Sequence, residues 1–303
     1  MRVLVTGAGG QVGRALARVG PAEGAEVIGL GRAALDITDP EAVRAALARV
    51  RPDAVVNAAA YTAVDRAEAE PDAAFRVNRD GASVVAEAAA AAAVPLVHLS
   101  TDYVFDGTKG APYRPDDPPS PLNVYGASKA AGEAAVRAAG GRAAVLRTAW
   151  VFGGGGEDFV SKILRLAADR DRLTVVADQW GHPTPADDVA RAALSAAAWC
   201  QAGGRGTLHV GGLPLTTWHG LATVAVAVYG EVGAVPVPPV DPVPTSAFPR
   251  AARRPARVEL ALAGSLERLG WRDAPDWRRA VSLIVGGASQ SGAVDDSGTG
   301  PLA

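Results

Sequence analysis

Short runs of β-branched residues alternate with alanine-rich stretches over the first 150 residues of the chain. The runs predict buried strands at residues 2–6, 26–30, 54–57, 96–99 and 144–147, and the stretches between them predict helices at 11–19, 40–50, 72–92 and 124–139. Alternation of this kind predicts a parallel sheet that right-handed crossovers cover on both faces. We therefore expect an α/β chain with a Rossmann-like, doubly wound parallel sheet.

The pattern loosens after residue 150. Helices are predicted at residues 158–168, 187–200 and 217–229, with a short strand at 207–210 and a proline-rich connector at 236–244. We predict a dinucleotide-binding domain over residues 1–150 and a smaller C-terminal lobe, mainly for substrate binding, over residues 151–285. Elements up to about residue 176 and residues 187–210 can rejoin the first domain. Residues 286–303, which are rich in glycine and serine, are expected to form a disordered tail.

Composition and charge narrow the class of protein. The chain has 303 residues, of which 49% are hydrophobic and 20% charged, as in soluble globular proteins. A net charge of −2 gives no basic surface for nucleic acid or an anionic membrane, and no apolar stretch approaches the ~20 residues of a membrane span. With one cysteine, and four histidines outside metal-ligand spacing, we predict no metal site. No signal peptide is recognisable, so we expect a cytoplasmic protein.

A glycine-rich turn lies between the first predicted strand and the first predicted helix. Gly7 permits a tight turn, Gly10 lets a pyrophosphate approach the backbone, and Gly13 allows close packing of helix on strand. Gln11 and Val12 begin the helix, whose N-terminal N–H groups suit an anion. A plain strand–turn–helix connection also uses glycines, but at the first strand of an alternating α/β pattern this turn predicts a dinucleotide site.

The end of the second predicted strand indicates which dinucleotide is bound. NAD binders usually carry a carboxylate here for the ribose 2′-hydroxyl, whereas this strand ends at Arg32, which can pair with a 2′-phosphate. We therefore favour NADPH, with NADH possible, and expect Asp36 and Ile37 to flank the adenine. Small residues after the third strand let a flat ligand lie on the chain, or simply make a tight turn. The cofactor residues predicted there are Ala58, Ala59, Ala60, Tyr61 and Thr62.

Polar residues end the fourth predicted strand, although a buried strand needs none. Leu99 is followed by a serine, Thr101 and Asp102. Ligands of doubly wound sheets bind beyond the carboxyl ends of the strands, so these side chains are predicted to lie at the mouth of a site. We assign Leu99 to its cofactor side, and Thr101, Asp102 and Val104 to its substrate side.

Tyr125 and Lys129 are four residues apart on a predicted helix, so their side chains share one face. Such pairs also occur by chance on solvated helices. Here, however, the Thr101 hydroxyl and the Tyr125 phenol would converge on one carbonyl oxygen beside a nicotinamide. Lys129 is expected to hold the ribose and to lower the pKa of the phenol from its usual value of about 10, which would assist proton exchange.

Together these motifs resemble a known family. Gly7-x-x-Gly10-x-x-Gly13, Thr101 and Tyr125-x-x-x-Lys129 look like an extended short-chain dehydrogenase/reductase. More narrowly, nearly the whole chain is similar to the dTDP-4-dehydrorhamnose reductases, in the blocks GQVG, NAAAYTAVD, STDYVFDG, SPLNVYGASKAAGE, DQWGHPT, TTWHG and VPTSAFP…RP. The blocks follow the family order from Arg2 to about Leu260.

The resemblance implies that NADPH or NADH delivers hydride to C4 of a dTDP-4-keto-6-deoxyhexose. The product would be dTDP-L-rhamnose or a close analogue such as dTDP-dihydrostreptose. In the family's scheme Tyr125 protonates the alkoxide, Lys129 binds the nicotinamide ribose and Thr101 assists. The family pattern adds substrate-side residues by position: Asn123, Trp150, Gln179, Arg250 and Arg254. We expect a dTDP-sugar as the binding partner, and a monomer or a homodimer.

The sequence also departs from the family pattern. Ala256 follows Arg254-Pro255 where a serine is usual, which leaves the identity of the hexose open. No acidic pair matches those that bridge some family dimers through Mg²⁺, so Mg²⁺ is not predicted. Two other functions stay open: a nucleotide-sugar 4-epimerase or 4,6-dehydratase, and a non-catalytic NADP-binding regulatory subunit. Tyr103, where dehydratases carry a glutamate, counts against elimination, and the complete catalytic set counts against a regulatory subunit.

Overall fold

In the computed structural model, which describes residues 1–153, 155 and 158–291, strands and helices alternate through residue 148 as the sequence predicts. The strands are β1 (Arg2–Thr6), β2 (Glu26–Leu30), β3 (Ala54–Asn57), β4 (Leu96–Thr101), β5 (Ala143–Thr148), β6 (Val151–Phe152), β7 (Leu173–Val176), β8 (Trp180–Gly181), β9 (Thr184–Pro185), β10 (Gly206–His209), β11 (Thr216–Thr217) and β12 (Val240–Val243). The helices are α1 (Gln11–Val19), α2 (Pro40–Val50), α3 (Val64–Ala67), α4 (Pro71–Phe75), α5 (Ala82–Ala91), α6 (Val124–Ala138), α7 (Phe159–Asp169), α8 (Ala186–Gln201), α9 (Trp218–Gly233), α10 (Ala263–Leu269) and α11 (Trp277–Ser291).

The main sheet of the described chain has six parallel strands in the order β10-β5-β4-β3-β1-β2. Strand β1 pairs with β2 on one side and with β3 on the other, so the strand order reverses there. Doubly wound sheets bind ligands in the crevice at such a switch point, at the carboxyl ends of the strands. The sheet order therefore predicts a ligand site where β1 and β3 end.

Both faces of this sheet are covered by helices. Successive side chains of a strand point to opposite faces. In β1, Val3 and Val5 accordingly join the apolar cluster beneath α1 and α8, whereas Leu4 joins the cluster beneath α2 and α5. This double burial explains why the strands are continuous apolar runs in the sequence. The Rossmann-like α/β fold expected from the sequence is confirmed.

The helix predicted at residues 72–92 is interrupted. A π-helical turn, Arg76–Gly81, separates α4 from α5. Its widened backbone lies against α6, where a Cβ on Gly132 would stand 2.0 Å from the carbonyl oxygen of Asn78. The turn directs the Asn78 amide to the segment after β3, where it accepts from Tyr61 N at 2.8 Å and donates to Tyr61 O at 3.0 Å. A π-turn thus joins two helices to the edge of the predicted site.

The chain leaves the sheet after β5 and returns to it later. Helix α8 packs on α1, and β10 pairs with β5, so residues 186–209 belong to the sheet layer. Helix α7 instead packs on α9, which packs on α11, and β7 pairs with β12. The core of this second, smaller group of elements includes Phe152, Leu221 and Trp277.

Helix α11 overlaps the region in which a disordered tail was predicted. The prediction starts at Gly286, but α11 continues to Ser291. Two apolar residues, Val281 and Val285, are buried and anchor the preceding turns of this helix, a contribution that glycine and serine content does not reveal. The remaining residues of that prediction, 292–303, lie outside the described residues.

Candidate active site

A cavity of about 830 Å³ opens at the carboxyl ends of the parallel strands. Its walls come from the turn between β1 and α1, the segment after β3, the ends of β4 and β5, and the start of α6. Most of the predicted site residues meet there: Gly7, Gly10, Gln11, Val12, Arg32, Asp36, Ile37, Ala58, Ala59, Ala60, Tyr61, Thr62, Leu99, Thr101, Tyr125, Lys129 and Trp150. The others do not line this cavity: Gly13, Asp102, Val104, Asn123, Gln179, Arg250 and Arg254.

The glycine turn is shaped by contacts that leave no room for side chains. Gly7 has a φ of +67°, and a Cβ there would lie 2.6 Å from the backbone of Ala59. A Cβ on Gly13 would lie 2.5 Å from the Gly7 carbonyl oxygen, so Gly13 packs beneath the turn. Gly10 is the N-cap of α1 and provides no side-chain cap. The first turn of α1 therefore offers N–H groups to an anion, and the turn fits a dinucleotide.

Two arginines stand at the far end of the cavity, beyond β2. Arg32, predicted from the sequence, is joined there by Arg76 of the π-turn, which sequence reasoning missed. The Asp36 carboxylate accepts hydrogen bonds from the residue two positions later, from Thr38 N at 2.9 Å and from Thr38 Oγ1 at 2.8 Å. These hydrogen bonds lower the pKa of Asp36, and the charges of Arg32 and Arg76 lower it further. Ile37 is buried beside this group.

The segment after β3 forms one wall of the cavity. Ala58, Ala59 and Ala60 present only methyl groups and backbone there, as expected for a surface on which a flat ligand lies. The Asn78 amide fixes the backbone of the next residue, Tyr61, whose phenol donates to a carboxylate of α4's N-cap, Glu70, at 2.8 Å. This wall therefore has small side chains, and its backbone is held in place by hydrogen bonds.

Lys129 is almost completely buried behind the cavity, with 2% of its surface exposed. Its Nζ donates to the carbonyl oxygen of Leu99 at 2.6 Å and lies 3.5 Å from Nε2 of His98. Burial lowers the pKa of Lys129 to about 8, against a smaller opposing effect of the Glu133 carboxylate. The amine is therefore available both as a charged and as a neutral group near physiological pH.

Tyr125 and Thr101 both line the cavity wall, and the Thr101 hydroxyl lies close enough to the phenol to affect its pKa. Burial raises the pKa of Tyr125 to about 12, while the Thr101 hydroxyl lowers it and the Asp102 carboxylate raises it slightly. This direction is opposite to the one expected from the sequence, where Lys129 was predicted to lower the pKa of the phenol. The reason is that Lys129 is engaged with Leu99 O, and burial outweighs every charge near the phenol.

The residues after Thr101 separate into a polar and an apolar group. Asp102 is buried, accepts from Thr101 Oγ1 at 3.0 Å, and has its pKa raised by burial to about 7. The ring of Tyr103 meets Tyr125 edge to face at 5.8 Å, and burial raises the pKa of its phenol. Val104, assigned to the substrate side from the sequence, is instead fully buried in an apolar cluster. A 3₁₀ turn over Asp102–Val104 rotates it away from the cavity.

Trp150 closes the cavity at the end of β5. It has a φ of +46° and stacks on Trp218 at a centroid distance of 3.7 Å and an interplanar angle of 11°. Gly181 lies against the indole, since a Cβ there would be 2.6 Å from it. Gln179 supports the stack from behind: it accepts from Trp218 Nε1 at 3.2 Å and donates to Thr245 Oγ1 at 3.0 Å.

The remaining predicted residues connect α6 with the segment near residue 254. Asn123 is the N-cap of α6: it accepts from Gly126 N at 2.8 Å and donates to the carbonyl oxygen of residue 253 at 2.7 Å. Arg254 forms a two-pronged ion pair with Asp65, with Nη2 2.8 Å from Oδ2, and its charge acts to lower the pKa of the nearby Tyr103. Arg250 is exposed nearby, and its charge contributes to lowering the pKa of Asp65, after the Arg254 contacts.

Sequence reasoning missed four polar residues that line the cavity: Arg14, Thr38, Arg76 and Thr148. Thr148 ends β5, so the rule that ligands bind beyond strand ends would have found it. Its Oγ1 is buried without a hydrogen-bond partner among the described residues. Ser100 donates to the buried Glu133 at 2.6 Å and therefore supports the site from beneath.

The described part of the chain carries neither a metal-binding cluster nor a membrane-spanning helix. No cluster of three or more histidine, cysteine, aspartate or glutamate side chains there could hold a metal ion. No helix of the same residues is both long and apolar enough to cross a membrane.

The chain is similar to known proteins over nearly its whole length. A family model described as "RmlD substrate binding domain" matches residues 1–288. A dTDP-4-dehydrorhamnose reductase from Burkholderia thailandensis is 46% identical, over 94% of this chain and 98% of the relative. The crystal structure of a Bacillus anthracis dTDP-4-dehydrorhamnose reductase in complex with NADP is 34% identical, with a TM-score of 0.85 over 93% of this chain and 98% of that one. A Clostridium acetobutylicum dTDP-4-dehydrorhamnose reductase is 33% identical, with a TM-score of 0.86 over 95% and 100% of the two chains.

Proposed function

Because the chain belongs to the dTDP-4-dehydrorhamnose reductase family, nicotinamide-dependent oxidoreductases that act on nucleotide-sugar ketones, we propose that it reduces the C4 keto group of a dTDP-4-keto-6-deoxyhexose with NADPH. One observation carries the proposal: Thr101, Tyr125 and Lys129 meet the glycine turn at a single cavity. The proposed conversion is dTDP-4-dehydro-L-rhamnose to dTDP-L-rhamnose, or that of a close analogue such as the precursor of dTDP-dihydrostreptose.

The cofactor would be held along the carboxyl ends of β1 to β4. The glycine turn would take the pyrophosphate, because Gly7 and Gly13 allow a close approach and α1 has no side-chain cap. Arg32 and Arg76 flank the far end of the cavity, which supports a 2′-phosphate there and hence NADPH over NADH. When bound, the nicotinamide supplies the hydride for the reduction.

Tyr125 would donate the proton that the reduced oxygen requires. With its pKa raised to about 12, the phenol is protonated at neutral pH and is a donor without further adjustment. Thr101, whose hydroxyl lies near the phenol at the same cavity wall, would hold the same oxygen in line with it. The proton moves from the phenol to the oxygen as negative charge develops on it, so the residue acts as a general acid.

Lys129 would position the ribose and stabilise the phenolate that remains. Its ammonium is held from behind by Leu99 O, so its reach toward the cavity is fixed. An ammonium near the phenolate favours its charge most when that charge appears, which is after proton transfer. The lysine would therefore contribute to the transition state more than to the resting phenol.

The substrate side would be formed by residues outside β1 to β4. Trp150, stacked between Trp218 and Gly181, provides a rigid apolar wall at the cavity end for the deoxysugar. Arg250 is exposed and available to a diphosphate, whereas Arg254 is already paired with Asp65 and would support Tyr103. We propose that Arg250 rather than Arg254 meets the diphosphate.

The replacement Tyr125→Phe tests the proposed role of the phenol. We expect the rate of NADPH oxidation with dTDP-4-keto-6-deoxy-L-mannose, followed by nicotinamide absorbance, to fall by ~10²–10⁴, since that is the usual contribution of a general acid. NADPH affinity, measured by fluorescence titration, should stay close to that of the unmodified chain. Tyr113→Phe is a matched control, because the Tyr113 phenol donates to Asp106 at 2.7 Å in an apolar cluster away from the cavity.

Two results would contradict this proposal. A Tyr125→Phe variant with the full rate would remove the proton donor from the scheme. Turnover of a nucleotide sugar without added NADPH would indicate an epimerase, which keeps its nicotinamide bound between cycles. Turnover that needs added NADPH and consumes it in proportion to product supports the reductase.

A further inference from the structure

His98 is a buried ionisable residue that the proposed reaction does not use. It lies on β4 with 1% of its surface exposed, and each ring nitrogen faces a side chain. Nδ1 is 3.1 Å from Nδ2 of Asn57, and Nε2 is 3.5 Å from Nζ of Lys129. Behind Asn57, the Thr6 hydroxyl donates to Oδ1 at 2.6 Å. A line of buried polar side chains therefore crosses β1, β3 and β4 and ends at Lys129.

The imidazole of His98 is neutral in this position. Burial lowers the pKa of His98 well below its usual range, and the charge of Lys129 lowers it further. A neutral imidazole has one N–H donor and one acceptor, so a hydrogen bond at one nitrogen fixes the role of the other. The orientation of the Asn57 amide therefore decides what His98 presents to Lys129.

The observed arrangement suits an uncharged lysine. Asn57 Nδ2 faces Nδ1 of His98 and donates to it, so the imidazole proton is on Nε2 and points at Nζ of Lys129. A neutral amine accepts this bond with its lone pair while it donates to the carbonyl oxygen of Leu99 at 2.6 Å. Every side chain in the line is then bonded.

A half-turn of the Asn57 amide reverses the line. The amide oxygen then accepts from Nδ1–H of His98, and Nε2 becomes an acceptor for the ammonium of Lys129. Asn57 Nδ2 turns toward Thr6, whose hydroxyl oxygen can accept as well as donate. The reversed line suits a charged lysine, and the same residues form it.

We propose that Thr6, Asn57 and His98 form a reversible hydrogen-bond chain, in which His98 is a positioning residue that holds Lys129 in place in either protonation state. The inference rests on the proposed function, because Lys129 needs a fixed position only if it takes part in the proposed reduction. A fixed donor or a fixed acceptor would leave Lys129 with an unpaired buried partner in one of the two states, which is costly. The reversible chain avoids that state.

The other groups around Lys129 set how strongly its charge is favoured. Burial lowers the pKa of Lys129 to about 8, and Glu133, one turn later on α6, opposes this. Arg147 on β5 pairs with Glu133 at 2.7 Å and offsets part of that attraction. Tyr125, one turn earlier on α6, is neutral, and Asp102 at the end of β4 changes charge near pH 7. In the described part of the chain, Nζ of Lys129 has hydrogen-bond contacts with His98 Nε2 and Leu99 O and with none of these four groups.

The direct test measures the tautomer of His98 as pH changes. Two-bond ¹H–¹⁵N spectra of the full chain labelled with ¹⁵N-histidine distinguish the tautomers, and His98→Gln assigns the signal. We expect Nδ1–H at low pH to give way to Nε2–H, with a midpoint near the pKa of Lys129, about 8. A single tautomer at every pH from about 6 to about 10 would overturn the proposal. The measurement needs no turnover, so a switch in a protein without reductase activity would uphold the chain and refute the proposed function.

Two variants separate the contacts of the ring. The amide of His98→Gln reaches the place of Nε2 and can turn either its oxygen or its nitrogen to Lys129, whereas His98→Asn replaces Nδ1 only. We expect the basic limb of the pH profile of kcat/KM to stay in place for His98→Gln. For His98→Asn it should move to lower pH by about one unit, because an ammonium gains more from a hydrogen bond than a neutral amine does.

The matched control is His209→Asn. His209 is also fully buried, and burial lowers its pKa to about 3, but it faces Arg147 rather than Lys129. This control should lose stability without moving the basic limb. An unmoved limb in His98→Asn, or a shift of equal size in both His98 variants, would contradict the positioning role. If His98→Asn does not fold, the tautomer measurement on the unmodified chain decides.

Discussion

Replacing Arg147 with methionine tests the buried ion pair that fastens α6 to the sheet. Glu133 on α6 is fully buried and accepts four hydrogen bonds: from Ser100 Oγ at 2.6 Å, from Arg147 Nε at 2.8 Å, from Arg147 Nη2 at 2.7 Å and from Arg137 Nη1 at 3.3 Å. The Arg147 guanidinium on β5 also donates to Pro115 O at 3.2 Å and lies over the Phe105 ring. The pair therefore joins the helix to β4 and to β5.

Arg147→Met removes one partner and leaves the other charge in the interior. Glu133 would keep only Ser100 and the half-exposed Arg137, whose Nη1 is 3.3 Å away. Breaking a buried pair in this way costs about 3–5 kcal/mol, and the two remaining donors place the expected loss near the lower end. Because domains of this kind are stable by only ~5–15 kcal/mol, the loss should be plain in urea-induced unfolding followed by circular dichroism.

The pH dependence gives a second readout of the same change. Burial would raise the pKa of Glu133, but the Arg147, Ser100 and Arg137 contacts lower it below its ordinary value. A carboxyl group with a lowered pKa stabilises the fold above its unfolded pKa, and this stability is lost as pH falls through the folded pKa. Without Arg147 that contribution disappears, so the stability gap between the two proteins should narrow as pH falls below 4.5, the ordinary pKa of a glutamate.

The double variant Glu133→Leu with Arg147→Met is the matched control. Removing both charges leaves no uncompensated ion. The double variant should therefore lose less free energy of unfolding than Arg147→Met alone. A loss below about 1 kcal/mol for Arg147→Met, or losses that simply add in the double variant, would refute the view that this pair is a coupled, desolvated unit.

Three further predictions concern the cavity. Gly13→Ala should abolish tight NADPH binding in a fluorescence titration, because its Cβ would stand 2.5 Å from Gly7 O; binding at the original affinity would refute the close packing of this turn. Arg32→Ala and Arg76→Ala should each weaken NADPH about tenfold or more and leave NADH nearly unchanged, and an equal loss for both coenzymes would refute a 2′-phosphate contact. Asp102→Asn should stabilise the protein increasingly as pH rises from about 4 to about 7, since burial raises the pKa of Asp102 to about 7 and makes its charge unfavourable; thermal unfolding at several pH values measures this, and a pH-independent difference would contradict it.

The parts of the fold that could be predicted are those with a local physical cause. Strands buried on both faces must be apolar throughout, so β1 and β3 are visible as continuous runs in the sequence. Ligands of such sheets bind beyond the carboxyl ends of the strands, which predicts Thr101 at the cavity wall. The same rule, applied to β5, would have predicted Thr148. Arg76 could not be found in this way, because its π-turn lies within a stretch whose composition is helical throughout.

The parts of the site that the sequence does not reveal depend on the surroundings of a side chain. Val104 follows two polar residues in sequence, but a 3₁₀ turn directs it into the apolar cluster. The spacing of Tyr125 and Lys129 places them on one face of a helix, yet it says nothing of how deeply the phenol is enclosed. Burial is the largest influence on the pKa of Tyr125, and it is set by elements far away in the chain. Sequence spacing predicts which groups meet, whereas their protonation is decided by packing.

Helix α6 shows how sequence spacing and packing act together at the site. Tyr125, Lys129 and Glu133 stand at intervals of four residues, so one face of the helix carries the proposed acid, the amine and the buried carboxylate in order of increasing depth. A shift of α6 by one residue would turn this face by about 100° and remove all three from their partners at once. The Glu133–Arg147 pair fixes the register at the deep end, and the Asn123 cap fixes it at the cavity end. The position of the phenol at the cavity therefore depends on an ion pair two helical turns away, which the Arg147→Met variant perturbs without altering any residue at the cavity wall.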